Sequence, residues 1–460
     1  MKKITLLLCT LFFIPTFAQD HFSGLTTSKR VGILNASLNP SELSNLDSKF
    51  EVQLMSFSLN VANNKIGFSD IANGNDLENS IFNGTGPVSF NVDADFLLPG
   101  VAFKLLNWGF AVTTAGHIKT TVTDFDPNVG DAFINGALSS ITSGTKTIPK
   151  TNNQRISAAT WGELGFSASH KIFENEKNKI SGGVTLKLLF PGSYANIGFG
   201  NFQGTFTTNT TNPSGPDFGK IILSNATADI NIAYTGGLAN SFTNTSDYTK
   251  SLFGNLNGMA ADFGVNYQLK GAGKSYKLKI GAAVKNIGSM TFKGDDIYSK
   301  NYELKIEDTQ KLDLKKFENV SGIKEIEAAF DNTDVNGINY LNNPETKKEF
   351  KVKLPTVLNL YADIKVISKL NVTLFLQQKM NSDSANDQIT SQNIFSVTPR
   401  VSLGFFEAYM PIGVNEVSGT TAGLGFRLGG FFLGSNSILT AVTNDSKQAD
   451  FYTGFRFGFL

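Results

Sequence analysis

VSFNVDADFLL, residues 88–98, alternates apolar and polar side chains with a period of two. Val88, Phe90, Val92, Ala94, Phe96 and Leu98 fall on one side, and Ser89, Asn91, Asp93 and Asp95 on the other. Successive side chains of a strand point to opposite faces, so this stretch is a strand with one apolar and one polar face. Pro99 and Gly100 follow as turn residues.

The pattern returns on both sides of this segment. Leu164, Phe166 and Ala168 lead into a polar turn at 174–179, and Val184, Leu186, Leu188 and Phe190 then alternate with Thr185 and Lys187. Met259, Ala261, Phe263, Val265, Tyr267 and Leu269 alternate with Asp262, Asn266 and Gln268. Tyr276, Leu278, Ile280 and Ala282 alternate with Lys277 and Lys279, and Leu358, Leu360, Ala362 and Ile364 with Asn359 and Asp363. Fourteen strands are predicted, near 49–61, 88–98, 101–114, 160–172, 180–190, 259–269, 275–285, 356–366, 369–379, 394–405, 407–414, 421–433, 437–443 and 451–459. A further alternation at 226–234 is either an extension of an outer loop or one of an extra pair, which would make sixteen.

Strands of about 9–11 residues with alternating faces are how a closed barrel crosses a bilayer. A soluble β-sandwich alternates in the same way, with its apolar faces meeting inside. Parity favours the barrel. With an outward first strand, the segments 98–101, 174–179, 270–274 and 367–369 all become short turns at one end. The segments 115–159, 191–258 and 286–355 all become long loops at the other. That is the asymmetry of bacterial barrels, with short periplasmic turns and long extracellular loops. The predicted fold is therefore an all-β, antiparallel transmembrane barrel.

Composition agrees. The 460 residues carry 17% charged side chains, 44 Gly and 39 Phe, with a net charge of +1. Phe suits strands and Gly suits turns, and a near-neutral chain has no field to attract nucleic acid. Residues 1–18 read as a signal peptide: Lys2 and Lys3, an apolar run from Ile4 to Ile14, and a small-residue site ending at Ala18. The single cysteine, Cys9, lies inside it, so the exported chain is expected to hold no disulfide and no thiolate metal site. Residues 19–48 are polar and turn-rich, residues 49–460 carry the barrel, and 286–355 is the longest outside loop. Within that loop Ile323, Ile326 and Phe330 have helical spacing. Phe455, Phe457 and Phe459 end the chain as an aromatic strand of the type read by the outer-membrane assembly machinery.

The segments GILNASLNPSEL (32–43), 88–114, 161–190, 258–292, LPTVLNLYADIKVISKLNVTLFL (354–376) and TAVTNDSKQADFYTGFRFGF (440–459) resemble uncharacterised outer-membrane barrels widespread in Bacteroidota. Those barrels are similar in type to the long-chain fatty-acid transporter and the type IX secretion shuttle barrel. The resemblance is carried by strands and turns, not by a chemical motif. It implies an N-terminal segment that plugs the lumen, with Asn39 and Pro40 as its turn.

No catalytic constellation stands out, and neither a cofactor nor a metal site is expected. His21, His117 and His170 lack zinc spacing, and His117 falls at a predicted strand end. His170 near Ser167 and Ser169 has no G-x-S-x-G turn beside it. Gly273, Lys274 and Ser275 resemble a P-loop tail, but Gln268 stands where its first glycine belongs. Asp308, Asp313 and Glu318 read as a solvated loop face. The inward polar positions Asp93, Asp95, Lys187, Asp262, Lys277, Lys279, Asp363 and Arg456 are expected to line the lumen. Asp93 and Asp95, two apart, either offer a cation two carboxylates or simply wet the wall; the second is the plainer reading. The expected function is passage of a small or hydrophobic solute. The alternative is a non-conducting barrel whose loops bind a partner, and a third reading is a soluble secreted β-protein. The surrounding partner is lipid; the sequence does not specify an oligomeric state.

Overall fold

A computed structural model of the chain describes residues 21–459 except 29, 74–80, 82–85, 135–142, 216, 240–252, 272–274, 295–296, 318–322, 332–345 and 444. Residues 1–20, where a signal peptide is expected, and Leu460 lie outside the described residues.

Fourteen antiparallel strands close into one ring. In chain order they are β1 (Phe50–Asn63), β2 (Val88–Leu97 and Gly100–Leu105), β3 (Trp108–Phe125), β4 (Gln154–Glu174) and β5 (Asn178–Asn209). Then come β6 (Gly258–Lys270), β7 (Tyr276–Lys293), β8 (Val357–Ile367), β9 (Leu370–Lys379) and β10 (Ile394–Leu403). The ring is completed by β11 (Phe406–Tyr409 and Ile412–Asn415), β12 (Gly419–Ala422 and Leu424–Leu428), β13 (Phe431–Ser435) and β14 (Gln448–Phe459). Each pairs with its predecessor, and β14 pairs with β1 from Phe50↔Phe459 to Ala62↔Gln448. Closure leaves the wall no free edge, which is what a sheet in lipid requires. Large apolar side chains such as Leu105, Met259, Phe263, Val366 and Leu403 are exposed on the outside, while Asn91, Asp262, Asn359 and Asp363 are buried. The apolar faces do not meet each other, which excludes the sandwich. No helix among the described residues is long and apolar enough to cross a membrane.

Strand number agrees with the expectation, but several boundaries move. Leu98–Val101 is not a turn. β1 pairs through it, Ser56 with Leu97 and Gln53 with Gly100, so 88–105 is one wall strand interrupted at Pro99. Proline removes one ladder donor without reversing the chain. The reversal comes at Leu106, whose φ is +54°. Residues 421–433 are two strands, split at Gly429 (φ +60°). Ile438–Thr443 is a short helix, not a strand. Ser435 Oγ accepts from Ser437 N at 3.2 Å and Ile438 N at 3.1 Å, an N-cap that outweighs the strand preference of the side chains.

The stretch at 226–234 adds nothing to the wall. Ile221–Thr235 pairs with the upper half of β5 and with Tyr298–Ile306, forming an outer sheet beyond the long-loop end. Phe199, Phe206, Leu223, Ile230 and Leu304 build its own apolar core, with Ile323 from the helix Ile323–Asp331 packed in.

Candidate functional site

Inside the ring lies residue 21 onward, largely buried. It forms the helix Leu34–Leu38 and a 3-10 turn at Pro40–Asn45. Asn39 organises the turn. Its Oδ1 accepts from Ser41 N at 3.0 Å and Ser41 Oγ at 2.7 Å. Its Nδ2 donates to Val265 O at 3.0 Å and Tyr361 Oη at 3.2 Å. Pro40 supplies the fixed φ that suits a first helical position.

The wall is shaped to receive this turn. Gly109, Ser169, Gly183 and Gly264 stand side by side in register on β3, β4, β5 and β6. A Cβ at Gly183 would come within 2.5 Å of the Pro40 carbonyl carbon, and one at Gly264 within 3.0 Å of Pro40 Cδ. Ser169, the one member with a side chain, donates to Ser41 O at 2.8 Å and accepts from Ser44 N at 3.3 Å.

Charged wall residues hold the rest of the segment. Lys279 pairs with Glu42 at 3.2 Å and donates to Thr27 O at 2.8 Å. Arg400 pairs with Asp363 at 2.8 Å and donates to Thr27 Oγ1 at 3.2 Å. Glu407 accepts from Ser28 Oγ at 3.0 Å and pairs with Arg427 at 2.8 Å. Glu51 accepts from Ile33 N at 2.8 Å and meets Arg456 at 3.3 Å. A buried charge is tolerable only with partners of this kind.

Toward the long-loop end, the segment leaves a cavity of about 160 Å³. Ile33, Leu34 and Ala36 form part of its floor, and Trp161, Lys187 and Gln392 part of its wall. One water needs roughly 10–15 Å³ on the same measure, so a small molecule fits. His117 meets Asp95 at 2.7 Å and stacks on Trp161 with ring centroids 4.7 Å apart. Lys187 bridges Asp262 at 3.0 Å and Glu163 at 3.4 Å, and Lys119 pairs with Asp93. A second cavity, about 280 Å³, lies under the segment at the short-turn mouth, among Lys104, Lys171, Lys179, Lys270 and Glu174.

Of the residues expected at the lumen, Asp93, Asp95, Lys187, Asp262, Lys279 and Asp363 all take part in these inward networks, and Arg456 reaches Glu51. Lys277 does not: it is exposed and lines neither cavity, because the register shifts between Tyr276 and Leu278. His117 is not at a strand end but in the middle of β3, since that strand continues to Phe125. His170 packs on Trp108, with ring centroids 4.4 Å apart, while Ser169 holds the Pro40–Asn45 turn, so the two share no site. Asp313 lies on the outer sheet, 3.7 Å from Lys220; Glu318 and Lys274 lie outside the described residues. Sequence reading missed His21, Glu42, Glu51, Lys119, Glu163, Arg400, Glu407 and Arg427 in these contacts. Continuing the period of two along β3 from His117 would have found Lys119.

A family model described as Family of unknown function (DUF5723) matches residues 43–436. No curated protein matches the sequence. Among solved structures, the Ralstonia pickettii toluene transporter TbuX superposes with a TM-score of 0.40 at 12% identity, covering 94% of this chain and 95% of that one. The P. putida toluene transporter TodX gives 0.33 at 9% identity, with 92% and 94% covered. A Pseudomonas aeruginosa FadL homologue gives 0.29 at 10% identity, with 96% and 97% covered.

Proposed function

We propose that this chain, which belongs to the DUF5723 family of unknown function, is an outer-membrane barrel that passes a small solute with an apolar body, residues 21–46 serving as its gate. The observation that carries this reading is how the segment is held. Its turn rests on a glycine row, and it is fastened to the wall by hydrogen bonds and ion pairs and by three small, separate apolar clusters rather than by one continuous core. Such contacts exchange with water at modest net cost, whereas a continuous apolar core would not. The mixed lining of the upper cavity suits a solute with an apolar body and a polar end. The short turns would face the periplasm and the long loops the outside, as in other bacterial barrels.

Conductance in planar bilayers tests the gate. Removal of residues 19–48 should raise single-channel conductance over the intact chain. An unchanged value would sink the proposal. Liposome uptake of a panel of small apolar solutes by the shortened protein would then define the class.

A second reading, a non-conducting barrel that binds a partner, draws on the outer sheet and its separate apolar core. It predicts a stoichiometric partner in pull-downs and no conductance even after the deletion.

A further inference from the structure

We infer that the lumen holds one divalent transition-metal ion, of the zinc class, between the start of the plug and β2. His21 Nε2 lies 3.1 Å from Asp93 Oδ1 and 3.5 Å from Asp95 Oδ2. The three donor atoms all fall within 4.8 Å of one another. Two ligands bound to one tetrahedral zinc at 2.0–2.2 Å stand about 3.3–3.6 Å apart. The observed spacing is therefore close to that of a bound ion.

The surroundings match as well. A metal ligand ordinarily has its other polar atom held by a second group, which fixes its orientation. Here His21 Nδ1 is 2.8 Å from Ser58 Oγ, Asp95 Oδ1 is 2.7 Å from His117 Nδ1, and Asp93 Oδ2 is paired with Lys119. All three candidate ligands are oriented in this way. Asp93 is only 9% exposed, and its Oδ1 makes no well-aligned hydrogen bond, its contact being His21 Nε2 at 3.1 Å. A cation between the two would ligate both atoms and complete the buried carboxylate's partners. Lys119, His117 and Lys285 oppose the ion, so its binding rests on direct ligation by the three donors and not on a net negative field.

The donor set selects the metal. One imidazole and two carboxylates suit Zn²⁺, Co²⁺ or Fe²⁺; Ca²⁺ takes six to eight oxygens, and Mg²⁺ keeps most of its waters. Asp93 and Asp95 reach the same point because they are two apart on one strand, while His21 comes from the plug. An ion here ties His21, ahead of the Leu34–Leu38 helix, to the wall. The site stands whether or not a solute passes.

The full-length protein, purified in detergent and stripped with a chelator, is titrated with Co²⁺ and followed by its visible absorption, then competed with Zn²⁺. The intact chain should take up one ion. His21→Ala and Asp95→Asn should each weaken binding by about tenfold or more, while Glu174→Gln, remote from the cluster, binds as the parent does. Heat-dependent gel mobility establishes that each variant is folded. Zn²⁺ should also raise the melting temperature of the parent and not that of His21→Ala. No Co²⁺ band in the parent, or undiminished binding in His21→Ala, overturns the site.

Discussion

At the scale of single residues, the lumen depends on paired buried charges. Arg400 and Asp363 are almost wholly buried, with side chains 2% and 0% exposed, and they meet at 2.8 Å. Removing one partner strands the other, at a cost of about 3–5 kcal/mol. Arg400→Ala should therefore lower unfolding stability in detergent by that amount, read from denaturant midpoints; a loss under about 1 kcal/mol would mean that water reaches the pair. Asp387, in the segment between β9 and β10, behaves differently. Burial pushes its carboxyl above the ordinary value of 3.8, against the pull of Lys347 and Arg155. A carboxyl raised on folding favours the folded state at low pH, and that contribution fades as pH rises past 3.8 toward the folded value. Asp387→Asn should accordingly raise the melting temperature at pH 7 and leave it unchanged at pH 3. Individual luminal positions were legible because alternation assigns each strand residue to a face. Their partners were not: Ser28 meets Glu407 across 379 positions of sequence, and no local pattern encodes such a pairing.

At the scale of elements, small residues decide where larger ones go. The glycine row under the Pro40–Asn45 turn has a counterpart elsewhere in the wall. Tyr361 lies over Gly281, Tyr409 over Gly425 and Tyr452 over Gly434, each directly opposite in register. An aromatic ring covering a neighbouring glycine restores the packing that the glycine gives up. Gly183→Val should push the turn away from β5 while the wall remains paired, giving a folded protein with higher conductance; identical conductance would show that the turn does not seal the lumen. Sequence reading located the elements where lipid forces an apolar face outward. It failed where punctuation and propensity pointed elsewhere. Pro99 with Gly100 resembles a reversal although the ladder runs through it. ILTAVT at 438–443 resembles a strand although Ser435 caps it as a helix.

At the scale of the whole molecule, the ring closes through its last strand. Phe455 through Phe459 pair with residues 50–55 of β1, so deleting 455–460 should abolish the heat-dependent gel shift of a closed barrel; a retained shift would show that closure tolerates an open seam. The face of each wall strand was readable in advance because lipid imposes one rule on all of them, while the count of fourteen agrees because two errors offset, 421–433 being two strands and 438–443 a helix. Of the outer sheet only the alternation at 226–234 showed, and of its two readings the extension of an outer loop is the one that holds. One strand, β5, belongs to both worlds, running 32 residues from Asn178 to Asn209 through bulges at Gly192 and between Gly200 and Thr205. At 3.3 Å per residue that is about 100 Å of chain, far beyond the bilayer's apolar thickness. The outer sheet thus stands on a mast rather than a tether. A load applied at its summit travels down the backbone as shear against the adjoining strands, and reaches Gly183 at the foot, beside the turn at Pro40.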